Sequence, residues 1–389
     1  MKLDTYHYKD TDNWNFSEIT IRRVNLFVGA TGSGKSRLLN TISNLSEFIT
    51  ERSNIKALGG TTFKAGQWEL QFSHKTDKFN WSCRSSDTPE RGRAVDSEEL
   101  SVTDSNGGRT LIYKREGPKF NYKSSELPRL SPNTTGLYLF REEPAITALY
   151  EWFTKILRRN FQGDDLLQAC GYQSVPRDAD IVQDKEKTKR PGSEPTFIVP
   201  LALSVRLNLL KRFHSELFYD LINLYRSVFP AIQQCDVKDA TELKLELPVP
   251  DKGKTPVFFI KERDVDQPVP LHELSSGMQK VLLIMTDILT LPQDGTYLID
   301  EYENSLGVNA ISFLPELLLT YGQSSQFVIT SHHPYLINNI PLDDWHIFHR
   351  RGSNVSIRPG KEFAEKFGAS RQQAFTKLVN DPFYAEGAE

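Results

Sequence analysis

An α/β fold with an antiparallel β subdomain and a helical insertion is what this sequence predicts, on three observations. First, an apolar strand pattern, Val24-Asn25-Leu26-Phe27-Val28, runs into Gly29-Ala30-Thr31-Gly32-Ser33-Gly34-Lys35-Ser36 and then into a helical pattern from Ser36 to Ile42. Second, the apolar stretch Tyr297-Leu298-Ile299 ends on two carboxylates, Asp300 and Glu301. Third, another strand pattern, Gln326-Phe327-Val328-Ile329-Thr330, delivers Ser331-His332-His333-Pro334.

The first stretch has the pattern G-x-x-x-x-G-K-S of a phosphate-binding loop. Its glycines let backbone N–H groups curl round an anion at positions where a side chain would block the approach. Lys35 reaches the outer phosphates in such a loop, and the Ser36 hydroxyl holds Mg²⁺. The helix beginning near Gly34 adds its dipole and free N–H donors. Strand, loop and helix occur in the order the motif requires, with Ile19-Thr20-Ile21 as a further buried strand. The fold predicted is therefore a P-loop NTPase, with Gly29 to Arg37 as the triphosphate site.

Composition sets the class. With 389 residues the chain can bury a large core, and 38% hydrophobic with 25% charged residues suggests exposed loops on a compact body. A net charge of −3 offers no bulk affinity for nucleic acid, so such binding requires a local basic patch. Cys83, Cys170 and Cys235 lie far apart in sequence without metal-ligand spacing, which points to free thiols in a reducing compartment. Met1 to Tyr8 carries no apolar signal region, and no 18-residue apolar run occurs, so a soluble, cytoplasmic protein with no membrane segment is expected.

Along the chain, three regions are expected. Residues 1–142 hold the phosphate loop and, from Thr61 to Leu111, short alternating runs such as Trp68 to Phe72 that read as a β-meander lying against the core. Residues 143–235 form a helical insertion, with one helix from Glu143 to Asn160 and a longer one from Leu201 to Val228. The polar loop 172–195 joins them, and its Asp180 to Lys187 fragment reads as solvated charge rather than a nuclease centre. Residues 236–389 return to strands, at Glu242 to Leu247 and Val257 to Ile260, and end in one amphipathic helix from Ser370 to Tyr384.

Alternate residues of a strand point to opposite faces, so Asp300 and Glu301 take different tasks. Asp300 suits the Mg²⁺ shell, and Glu301 suits the general base that positions water. His332 is placed to sense the γ-phosphate, and His333 is the neighbour that points away, a choice the sequence alone leaves open. Leu274-Ser275-Ser276-Gly277-Met278-Gln279, just before the apolar helix Val281 to Met285, reads either as a helix cap or as a second anion site.

These motifs, in this order, resemble an ABC-type ATPase of the SMC, RecF and OLD branch. The resemblance implies an ABC-type ATPase head that hydrolyses ATP slowly or under regulation. It also implies a head-to-tail dimer in which ATP on one subunit is capped in trans by Ser275, Ser276, Gly277 and Gln279 of the other. Glu301 and His332 become the catalytic residues, Ser36 and Asp300 the Mg²⁺ ligands, and Ser305-Leu306-Gly307 the loop that reaches across. Tyr302 and Leu306-Gly307-Val308 depart from the usual pattern after the acidic strand. The glutamine loop has no clear match, Leu137 to Glu142 being its expected place. About 240 residues without sustained heptads separate Lys35 from Ser275, which excludes a long coiled coil.

Within this branch the compact head resembles ATPases of prokaryotic anti-phage systems, of the Septu and retron-associated kind and the OLD-like kind. About 55 residues follow Pro334, too few for the nuclease domain of an OLD enzyme, so the effector, a nuclease, is expected on a separate chain. The alternative is a RecF-like repair factor that clamps DNA, with Lys155, Arg158, Arg159, Arg206, Lys211 and Arg212 as candidates for its basic groove, residues that a solvated helix face explains equally well. A transporter head fits the pattern poorly.

Overall fold

The computed structural model describes residues 1–10, 14–51, 65–88, 92–161, 165–174, 201–245, 254–304, 306–367 and 374–387. The loop 172–195 from residue 175 onward, with its Asp180 to Lys187 fragment, lies outside the described residues, as does Ser305. The chain divides into two compact units. One comprises Met1–Arg158, Asp294–Asp300 and Gln326–Glu389, and the other Arg159–Gln293 and Glu301–Ser325.

The first unit begins with β1 (Lys2–Asp10), β2 (Asn15–Thr20), β3 (Val24–Gly29) and α1 (Lys35–Thr50). The meander follows as β4 (Gly66–His74), β5 (Asp77–Thr88), β6 (Gly92–Thr103), β7 (Arg109–Glu116), β8 (Lys119–Tyr122) and β9 (Ser125–Leu127). Then come α2 (Gly136–Leu139), α3 (Pro144–Thr154) and β10 (Ile156–Asn160), the last leading into the second unit. That unit holds α4 (Asp165–Cys170), α5 (Leu203–Phe213), α6 (Ser215–Val228), β11 (Ile232–Asp239), β12 (Pro256–Glu262), β13 (Val269–Pro270) and α7 (Ser276–Leu289). After β14 (Thr296–Asp300) of the first unit, α8 (Val308–Thr320) belongs to the second. The first unit closes with β15 (Gln326–Thr330), α9 (Pro334–Asn339), β16 (Trp345–Arg351), β17 (Asn354–Pro359) and three short helices, α10 (Ala364–Phe367), α11 (Ala374–Val379) and α12 (Pro382–Ala385).

One sheet organises the first unit, in the order β10-β14-β15-β3-β16-β17-β2-β1-β4-β5-β6-β7-β8-β9. The strands β14, β15, β3 and β16 are parallel neighbours, and register fixes their ends: Ile299 lies opposite Ile329, and Thr330 opposite Phe27. Their apolar residues are buried throughout, as strands covered on both faces require. The meander does not lie against this core as a separate layer. It continues the same sheet, because β1 pairs with β2 on one side and β4 on the other.

The core packs α1 and α3 on the sheet through Leu38, Ile42, Leu45, Trp152 and Phe153. Buried Glu98 pins the meander: it accepts hydrogen bonds from Trp81 Nε1 at 2.9 Å, Tyr113 Oη at 2.7 Å and Gly136 N at 2.6 Å. Burial raises its pKa, and these three donors oppose that shift.

Four expected elements differ. The helix from Glu143 stops at Thr154, and Ile156 to Asn160 is a strand. Its apolar spacing continues the helical stripe, but edge pairing beside β14 wins, with Thr296 N donating to Lys155 O at 3.2 Å. The long helix breaks at His214, whose φ of −141° is not helical; its N–H ends α5 on Leu210 O, and its carbonyl starts α6. Residues 241–244 form a turn rather than a strand, held by Asp239 Oδ1 accepting from Thr241 N, and the three-stranded sheet of β11, β12 and β13 uses Ile232–Asp239 instead. The tail is two short helices, since Asp381 caps a new start at Pro382.

Candidate functional site

In parallel strands every carboxyl end lies on one edge, where α/β proteins bind ligands. That edge of the first unit gathers Gly29, Asp300 and Thr330. The phosphate loop leaves β3 there. Gly34 caps α1 with φ of +101°, a left-handed conformation that suits glycine, and a Cβ at Gly29 would lie 2.7 Å from Ser33 Oγ. Thr31 and Gly32 form the exposed tip, Ala30 is half-buried, and Ser33 is buried. Lys35 is buried too, its Nζ donating to Gly29 O at 2.8 Å and Ala30 O at 3.0 Å. The loop thus holds its own lysine against its backbone.

Ser36 is exposed and its Oγ donates to Asp300 Oδ1 at 2.9 Å. The same carboxylate oxygen, 3% exposed with its residue, accepts from Thr330 Oγ1 at 2.6 Å. Hydroxyl and carboxylate are hard oxygen donors suited to Mg²⁺, so Ser36 and Asp300 fit that ion. Thr330 is the residue sequence reasoning missed, because a threonine ending a strand has no distinctive spacing.

Beyond β15, Ser331 is buried and accepts from His333 N at 3.0 Å, while His333 Nδ1 accepts from Tyr335 N at 3.2 Å and caps α9. The cap uses His333 and not His332, which is half-buried at the same turn.

Arg37 of the predicted loop is joined by Asp10, Trp14 and Arg350, which the sequence reading did not single out. Arg37 pairs with Asp10 at 3.0 Å and lies 4.2 Å over the Trp14 ring; Arg350 lies 4.5 Å over the same ring and donates to Gly32 O at 3.0 Å. Strand β16 therefore reaches the loop tip through a guanidinium. Trp14 sits in a polar stretch, so no apolar pattern announced it.

In the second unit, Ser275 caps α7, its Oγ accepting from Met278 N at 3.3 Å, and Ser275 and Ser276 are exposed with Gly277 half-buried. Gln279 is buried and its Nε2 donates to Leu271 O at 2.8 Å, because it falls on the inward face of α7. Glu301 opens a tight turn with φ of +49°; Asn304 N donates to Glu301 O at 3.0 Å and Leu306 N to Glu303 O at 3.1 Å. Gly307 caps α8.

Of the six basic candidates for a DNA clamp, four pair with acidic side chains. Arg206 is buried and donates to Asp287 at 2.6 Å and Thr290 at 3.0 Å, and Arg159 holds the same fully buried Asp287 at 2.8 Å. A buried carboxylate demands such partners, and they are consumed by it. Lys211 pairs with Asp236, and Lys155 with Glu151 one helical turn away.

Among the described residues no helix is long and apolar enough to cross a membrane, and no cluster of three His, Cys, Asp or Glu side chains could hold a metal ion. All three cysteines are buried and free; burial pushes the Cys170 and Cys235 thiols up to about 12.

Residues 150–338 match the family described as "AAA domain, putative AbiEii toxin, Type IV TA system". The matched segment contains Ser275 to Gln279, Asp300, Glu301 and His332, and it supports an ATPase. The phosphate loop lies before it. No curated protein matches the chain. Among solved structures, the chain is similar to an SMC head bound to the C-winged helix domain of ScpA, at 11% identity over 92% of this chain and 98% of the other, with a TM-score of 0.49. It is also similar to the SMC head domain from Thermotoga maritima, at 13% identity over 92% and 99% with a TM-score of 0.43. An Smc head with an extended coiled coil, bound to the C-terminal domain of ScpA derived from Pyrococcus furiosus, matches at 12% identity over 92% and 96% with a TM-score of 0.45.

Proposed function

We propose that this chain is an ABC/SMC-like ATPase that closes head to tail around ATP and controls a separate effector, a nuclease, in anti-phage defence. The observation that carries the ATPase reading is the bonded set at the parallel edge: Lys35 held in the loop, and Ser36 and Thr330 both on Asp300. The defence reading is supported by the resemblance of the ordered motifs and by a matched family whose description names a toxin. For the repair alternative, four of the six basic candidates are paired with acids.

In this reading the loop N–H groups and the Lys35 ammonium take the β- and γ-phosphates. Ser36 and Asp300 would hold Mg²⁺, which supplies charge neutralisation on the phosphates when bound. Thr330 keeps the Asp300 carboxylate oriented. Glu301 receives the proton of the attacking water, and His332 donates a hydrogen bond to the γ-phosphate. Ser275 and Ser276 of a second copy cap the triphosphate with hydroxyls and the N-terminus of α7.

Two variants test this together. Glu301→Gln is expected to bind ATP normally, lose about 10²-fold or more in turnover as for a removed general base, and accumulate as a dimer by mass measurement with ATP. Lys35→Ala is expected to lose nucleotide binding and the dimer. Equal hydrolysis and equal mass in wild type and both variants would falsify the proposal. Pull-down of an untagged nuclease from the native host, or repair proteins in its place, separates the defence role from the alternative.

A further inference from the structure

Lys280 is fully buried, three residues past Gly277 on α7, in a position where an unpaired ammonium is costly. Its Nζ donates to Asn304 O at 2.7 Å and to Glu301 O at 3.1 Å, and it lies 4.0 Å from the centroid of the Phe161 ring. Two backbone carbonyls of one turn and a π face therefore share a single ammonium. The carbonyls belong to the first and last residues of the turn that Glu301 opens, and the Glu301 backbone is itself in the left-handed region, at φ of +49°. Such a conformation costs an ordinary residue free energy and persists where its surroundings hold it. Burial lowers the Lys280 ammonium to about 7, with Glu303 and Glu301 pulling the other way.

We infer that Lys280 is a positioning residue: it ties the start of α7, which carries Ser275 and Ser276, to the 301–304 turn and so fixes the backbone that presents Glu301. Packing alone does not require a lysine here, since a methionine of similar length would fill the space without needing carbonyl partners. The inference deepens the ATPase reading above and rests on it. Seating a ligand on the signature serines moves one end of α7, and Lys280 carries that displacement to the turn. The device links the signature segment of a head to its own Glu301.

The test uses the full chain with Lys280→Met, Lys280→Arg and Phe161→Leu, reading Mg-ATP turnover and amide hydrogen exchange in parallel. Lys280→Met is expected to lower kcat about tenfold while KM stays within about twofold, the pattern of a group that acts on the transition state and not on binding. Amides of Asn304 and Leu306 should exchange about tenfold faster, with those of β3 unchanged. Lys280→Arg, which keeps charge and donors, restores turnover to within about threefold. Combined with Glu301→Gln, Lys280→Met should add no further loss, because both act through one carboxylate.

Unchanged kcat in Lys280→Met, a loss carried by KM, or a loss that adds fully to that of Glu301→Gln overturns the inference. A wild-type chain that does not hydrolyse ATP overturns the ATPase reading instead; unchanged exchange at Asn304 and Leu306 then still decides against the tie. Should Lys280→Met fail to fold, Phe161→Leu gives the same pattern at smaller amplitude, and wild-type kcat and exchange there overturn it equally.

Discussion

At the phosphate loop, Lys35 and Ser33 are buried and Ser36, Asp300 and Thr330 bond one another, whereas at the signature segment Ser275 and Ser276 stand in solvent. Behind those serines, Gln279 and Lys280 are buried and hydrogen-bonded. In the first region the polar groups are bonded within the fold, Lys35 to the loop's own carbonyls and Ser36 and Thr330 to Asp300. The second offers a hydroxyl-capped helix end. Under the proposed head-to-tail dimer, a site divided in this way binds nucleotide in one head and stays inactive until a second head closes over it.

The largest effect that would break this contrast is at Asp300. Asp300→Asn keeps the size of the side chain and a carbonyl for the two hydroxyls, but removes the charge that suits it to Mg²⁺. Turnover is expected to fall about 10³-fold, as when a preorganised electrostatic group is lost, while Thr330→Val, which only frees the carboxylate, costs less. Steady-state phosphate release measures both. Wild-type turnover in Asp300→Asn would show that the buried set is structural and that the chemistry lies elsewhere.

A smaller loss is expected at the exposed region. Ser276→Arg places a long charged side chain on a surface residue of α7 with no fold cost of note. ATP binding at the loop should persist, while turnover falls about 10²-fold as a clash enters the composite site. Mixing it with Lys35→Ala is the sharper measurement. Each variant alone is inactive, yet a mixed pair holds one site with an intact loop and an intact signature, so turnover reappears. If the mixture stays as inactive as its parts, the head-to-tail pairing is wrong.

The same contrast governs what could be read from the sequence. The phosphate loop and the Asp300 strand were legible because contiguous residues do the work: glycines at fixed offsets, and an apolar run ending in acids. Thr330, Trp14 and Arg350 were not, since they come to the site only after β15 and β16 pair with β3 and β2 pairs with β17, and pairing partners leave no local trace. Apolar spacing misled where tertiary pairing overrode it, at Ile156 to Asn160, and where one residue ended two helices, at His214. Gln279 was assigned by motif position alone; helical phase turns it inward to Leu271.

The smallest expected effect concerns what holds β3 in place beneath the loop. Asn25 donates to Arg22 O at 2.8 Å and Phe327 O at 3.0 Å, and its Oδ1 accepts from Arg22 N at 2.8 Å and pairs with His346 Nε2 at 3.1 Å. With the amide oxygen as acceptor, the imidazole carries its proton on Nε2 and is neutral. Burial, and after it the charge of Arg22, lowers the His346 pKa to about 4. Between the ordinary value near 6.5 and about 4, the unfolded chain takes up a proton that the folded chain refuses, so stability present at neutral pH is lost as pH falls through that window. From pH 7 to pH 5 the loss from this group is about 2 kcal/mol. Denaturant unfolding of wild type and His346→Gln at both pH values measures it. The glutamine variant should lose that part of the pH slope while keeping a donor for Asn25, and an unchanged slope would mean that His346 is charged in the fold and that β3 is pinned by the other bonds of Asn25.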